Sequence, residues 1–189
     1  MRTLETRLEG PILIEPQVFG DERGFFSETY RRSGFSELGI HEEMVQDNHS
    51  RSRRGIVRGM HFQIGAGAAK LVRCGSGAIL DVVVDIRRGS ATYGEWEAFE
   101  LTGENMRIVY CPIGFAHGFC TLSEYADVLY KQSNYYAAET ERGFKYDDPE
   151  VAIGWPAEIE LIPSTRDATA PRLREIADEL PFVYVPPAA

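Results

Sequence analysis

Apolar, β-branched residues recur in short runs that turn residues repeatedly cut off. The clearest are AKLVR (69–73), AILDVVVDI (78–86), EAFEL (97–101), MRIVY (106–110) and ADVLYK (126–131). Between them stand Gly75-Ser76-Gly77, Arg88-Gly89-Ser90, Thr102-Gly103-Glu104-Asn105 and Pro112-Ile113-Gly114. Runs of strand length, punctuated this often, predict an all-β antiparallel sandwich or barrel and argue against βαβ units. Asp81 and Asp85 flank three valines and share a strand face with Val83, which predicts core on one side and polar groups on the other. Helical signal is confined to two places. Residues 33–38 allow one or two turns ended by Gly39. Residues 171–181 follow a capping Thr169, with Pro171 in the first turn, Leu173, Ile176, Ala177 and Leu180 on one face, and Pro181 as a stop.

Composition narrows the function classes. The chain has 189 residues, with 29 acidic against 20 basic side chains and a formal net charge of −9. That balance argues against bulk nucleic-acid binding, which needs a dominant basic face. The three cysteines, at 74, 111 and 120, form no CxxC pair and suit a reducing cytosol. The longest stretch without formal charge, 108–123, is broken by Pro112, Gly114 and Gly118. It is also shorter than the ~20 residues a membrane helix requires. A soluble, cytoplasmic chain forming one domain is expected.

The chemistry-bearing residues are open to two readings when taken singly. His61 alternates with Met60 and Phe62, so on a strand its ring faces away from theirs. It could be a structural histidine or a functional one. A metal site is the obvious alternative, since barrels often carry HxH ligands, but the triplet here is His61-Phe62-Gln63. An amide is a poor ligand for zinc or iron, and His117 has no carboxylate near it in sequence. Arg51, Arg53 and Arg54 read as a solvated loop. Arg58 and Lys70 differ, because each lies inside an apolar run, where a buried cation needs a partner. Cations on a sheet interior with no adjacent carboxylate suggest an anionic ligand such as phosphate. Tyr130 and the segment PIGFAHGF (112–119) could equally belong to the core.

Together, longer motifs decide more. DERGFFSETY, VQDNHSRS, RGIVRGMHFQ, AAKLVRCGSGAILDVVVDIR, PIGFAHGF, VLYKQSNYY and DDPEVAIGWP occur in order along the chain. In order and spacing they resemble the dTDP-4-dehydrorhamnose 3,5-epimerases, over about 14–171. The resemblance implies a cupin-like jelly-roll β-sandwich with short peripheral helices, a homodimer, and no metal or other cofactor. It implies action on a dTDP-4-keto-6-deoxyhexose, with His61 as base and Asp167 as its orienting carboxylate. Tyr130 is then the opposite-face proton donor and Lys70 the enolate stabiliser. The same resemblance assigns substrate contacts to Arg23, Glu28, Gln46, Asp47, Asn48 and Arg58. It adds His117, Glu141 and Arg166, with Tyr136 as a platform for the thymine ring, and lets Arg23 serve a neighbouring subunit. Epimerases that invert only C3 or only C5, and a noncatalytic nucleotide-sugar binding jelly roll, share these motifs and stay open as alternatives.

Overall fold

The computed structural model describes residues 1–186, so 187–189 of the expected single domain lie outside the described residues. The strands are β1 (Arg2–Leu4), β2 (Ile12–Glu15), β3 (Val18–Asp21), β4 (Gly24–Ser27), β5 (Gln46–Arg53), β6 (Val57–Gln63) and β7 (Lys70–Ser76). They continue as β8 (Ala78–Asp85), β9 (Trp96–Thr102), β10 (Ile108–Cys111), β11 (Phe115–Thr121), β12 (Tyr125–Gln132) and β13 (Glu141–Gly143). Among the described residues only α1 (Arg32–Ser36) and α2 (Thr165–Ala168) are α-helical. None is long and apolar enough to cross a membrane.

The six-stranded sheet runs β1-β2-β10-β7-β12-β5 and the five-stranded sheet β13-β6-β11-β8-β9, all pairs antiparallel. Alternation along each strand sends one set of side chains between the sheets. Val72, Val109 and Val128 from the first sheet meet Val83, Leu101 and Phe119 from the second. The outer faces are covered too. Phe35 of α1 packs on Ile14, Leu71 and Ile108, while Phe144, Leu173 and Leu180 pack on Met60, Val82 and Val84. This is the cupin-like jelly-roll sandwich the sequence predicts.

Three local expectations change. The segment with Arg51 and Arg53 is not a loop but the outward face of β5, paired along its length with β12. The strand carrying Asp81 and Asp85 is buried on both faces, and both carboxylates are fully buried. Finally, the expected helix over 171–181 is two single turns of 3-10 helix, Leu173–Glu175 and Ala177–Glu179. The break falls at Ile176, whose φ of −113° and ψ of 3° leave the α-helical range between the two turns, while Asp148 Oδ2 anchors the Leu173 N–H at 2.7 Å.

Candidate active site

A cavity of about 520 Å³ opens between the sheets. His61 and His117 line it from the five-stranded sheet, and Lys70 and Tyr130 from the six-stranded sheet. His61 stands on β6 directly across from His117 on β11, just before a register shift. Glycines permit that approach. A Cβ on Gly59 would come within 2.6 Å of the Gly118 Cα, and one on Gly118 within 2.7 Å of the Met60 sulfur. The glycines of RGMHFQ and FAHGF therefore let two histidine-bearing strands pass unusually close.

Each histidine has its own carboxylate. His61 Nε2 lies 2.7 Å from Asp167 Oδ1. Ser164 caps α2, its Oγ accepting the Asp167 N–H at 3.1 Å, which fixes that carboxylate where the chain turns back to β6. Burial alone would raise the Asp167 carboxyl, but hydrogen bonds from His61 and Ser164 outweigh it and hold it below the usual range. An ionised carboxylate only accepts, so His61 donates from Nε2 and keeps the Nδ1 lone pair free. His117 Nε2 lies 2.8 Å from Asp81 Oδ2. That pairing brings together residues 36 apart, and it explains the buried acid on β8. Burial pushes the His117 imidazole down, with Asp81 opposing.

Lys70 makes no ion pair among the described residues, and burial holds its ammonium below the ordinary lysine range. Burial, reinforced by Glu141, pushes the Tyr130 phenol up, so it stays protonated at neutral pH. Arg58 also lines the cavity, its Nε donating to Ser52 Oγ at 3.0 Å. At the outer end Glu141 accepts from Arg166 at 2.5 Å and from the Tyr136 hydroxyl at 3.2 Å. Gln46 and Asn48 point to the interior side of β5, where Gln46 Nε2 donates to Asn48 Oδ1 at 2.9 Å. No group of three or more His, Cys, Asp or Glu side chains is arranged as metal ligands among the described residues.

Five expected contacts do not line this cavity within one chain: Gln46 and Asn48, although inward-facing on β5, and Asp47, Arg23 and Glu28. Asp47 faces outward on β5 and pairs with Lys131 at 2.5 Å, because alternation puts it opposite to Gln46 and Asn48. Arg23 lies on the β3–β4 ribbon and bonds Asp21 at 3.0 Å, and Glu28 just beyond it pairs with Arg31 at 3.0 Å. Asp81, Ser164 and Gln63 are the cavity's unexpected supports; only the β8 alternation hinted at the first.

A family profile described as dTDP-4-dehydrorhamnose 3,5-epimerase matches residues 5–175. The chain belongs to the dTDP-4-dehydrorhamnose 3,5-epimerase family. Among its members, the dTDP-4-dehydrorhamnose 3,5-epimerase of Pseudomonas aeruginosa is 50% identical over 165 residues, covering 86% of this chain and 91% of that one. The solved dTDP-6-deoxy-D-glucose-3,5-epimerase from Legionella pneumophila, in complex with dTDP-4-keto-L-rhamnose, superposes with a TM-score of 0.95. It is 44% identical, over 98% of this chain and 99% of that one. The family's architecture extends to a 3′-monoepimerase from Streptomyces bikiniensis in complex with dTDP-quinovose. That structure has a TM-score of 0.87 and 36% identity, over 92% of this chain and 89% of that one.

Proposed function

We propose that this single-domain chain converts dTDP-4-keto-6-deoxy-D-glucose into dTDP-4-keto-L-rhamnose by inverting C3 and C5. The observation that carries the reading is the placement of an oriented imidazole and a protonated phenol on opposite walls of one cavity, with a half-buried lysine between the same sheets. Both carbons lie α to the C4 carbonyl, so each C–H is acidified by the same carbonyl, which takes up the charge as an enolate. His61 Nδ1 removes the proton, Lys70 stabilises charge on the carbonyl oxygen, and Tyr130 returns a proton to the opposite face. Asp167 holds the His61 tautomer and stabilises the imidazolium.

Incubation with the keto sugar in deuterated water tests this directly. Solvent deuterium is expected at both carbons. Label at neither defeats the reading, and label at one selects the mono-epimerase alternative that the Streptomyces bikiniensis relative keeps in view.

The working unit in this reading is a homodimer. The β3–β4 ribbon exposes Phe19, Phe25 and Phe26 at 57%, 65% and 69%, an apolar surface that calls for a cover. Arg23 rides on that ribbon, away from its own cavity, which supports its delivery to the neighbour's diphosphate. Two inactive variants, Arg23→Ala and His61→Ala, should then regain activity when their subunits are exchanged, since one hybrid site carries neither defect. No recovery in verified hybrids counts against the shared site.

A further inference from the structure

Gln63 occupies the place where a strand-borne HxH pair would put its second metal ligand, and the proposed chemistry leaves it unused. It lies two residues after His61 on the same face of β6, 7% exposed, and lines the cavity. Its Nε2 donates to the Tyr135 carbonyl at 3.2 Å and to Thr140 Oγ1 at 3.3 Å. From the other sheet, Gln46 Oε1 accepts the Tyr136 N–H at 2.8 Å. The Tyr135 carbonyl and the Tyr136 N–H are the two polar groups of a single peptide unit. One glutamine from each sheet therefore grips the same peptide plane from its two ends.

The grip falls on the segment that joins β12 to β13 and presents Tyr136, 53% exposed, at the outer end of the cavity. A loop peptide bonded only to water rotates freely, and the ring beside it then pays ordering entropy when a planar ligand stacks on it. Two fixed partners remove that rotation beforehand. Thr140, at the far end of the loop, closes it back on Gln63, and Glu141 on β13 engages the Tyr136 hydroxyl.

We propose that Gln63 and Gln46 form a peptide clamp that positions Tyr136 to receive the planar base of the nucleotide. Gln63 is thus a positioning residue that acts through Tyr136, and it serves affinity for the base rather than proton transfer. The inference rests on the nucleotide-sugar reading above.

Gln63→Met keeps the volume and removes the donor. It is expected to weaken dTDP binding about tenfold, equivalent to ~1.4 kcal/mol, by calorimetry. Binding of inorganic pyrophosphate, which has no base, should not change, nor should deuterium exchange at saturating substrate. In a double-mutant cycle the loss should vanish in a Tyr136→Ala background, because the clamp then has no ring to position. Undiminished dTDP affinity, or losses that add in full with Tyr136→Ala, overturns the clamp. Wild-type protein gives an independent reading that needs no variant. The Tyr136 amide should show hydrogen-exchange protection in the free chain, and exchange at the rate of an open loop overturns the proposal. Failure of wild type to bind dTDP at all would instead defeat the nucleotide reading itself.

Discussion

His61→Ala is expected to lower deuterium exchange at both carbons by about 10²–10⁴-fold, the usual contribution of a positioned general base. The loss should appear in kcat, with dTDP binding retained, because the proposed mechanism sets His61 against the sugar and not the nucleotide. The geometry makes the expectation specific. Asp167 accepts the hydrogen bond of the Nε2–H, which leaves Nδ1 as the one ring nitrogen able to accept a proton from substrate. Wild-type activity at either carbon in this variant would remove the base from the mechanism. The same substitution has a stability signature in acid. The Asp167 carboxyl lies below its unfolded value, so its contribution is present above that value and is lost as pH falls through the lowered folded one. Without the imidazole that depression shrinks, and the variant should show a shallower loss of stability in the acid range, measured by urea unfolding at stepped pH.

How far the sequence alone reaches depends on whether a partner is local. Strands β7 to β10 and β12 follow from apolar runs between turn residues, because each run buries a face whatever its neighbour is. The turn of His61 into the cavity, away from Met60 and Phe62, follows from the two-residue period of the same strand. The pairing of His117 with Asp81 does not, because it depends on β8 lying beside β11, and strand order is not written in either segment. Asp47 was expected among the substrate contacts by resemblance, yet alternation along QDNHSRSR puts it outside once that stretch is recognised as a strand. Arginine density there mimics a solvated loop, since an edge strand tolerates charge on its outer face. The C-terminal helix failed for a different reason. Its apolar spacing is real, and Leu173 and Leu180 do reach the core, but Ile176 leaves the helical range and separates two 3-10 turns. Apolar spacing marks which residues are buried, a requirement that single turns meet as well as a continuous helix does.

Lys70→Met is expected to make the protein more stable and nearly inactive. Loss of a preorganised donor at a developing oxyanion typically costs about 10²–10³ in kcat, or ~2.7–4 kcal/mol, and the proposed mechanism gives that role to Lys70. The stability gain has the opposite origin. Lys70 sits half-buried between the sheets without an ion-pair partner among the described residues, and its ammonium is held below the ordinary range chiefly by burial, with Cys111, Glu141 and Asp81 only partly offsetting the cost. A methionine of similar length fills the space without that cost. The sign can be checked with pH. Between the lowered folded value and the unfolded one, the unfolded chain binds more protons than the native chain. Wild-type stability should therefore rise with pH across that window, and the methionine variant should lose the rise. Catalysis moves the other way over the same range, because deprotonating Lys70 removes the charge that holds the enolate. A variant that kept full exchange, or lost exchange with no gain in unfolding midpoint at neutral pH, would show that this buried ammonium is not held at a cost for the reaction. The proposed chemistry requires the contrary: the fold tolerates an uncompensated cation because the transition state supplies its partner.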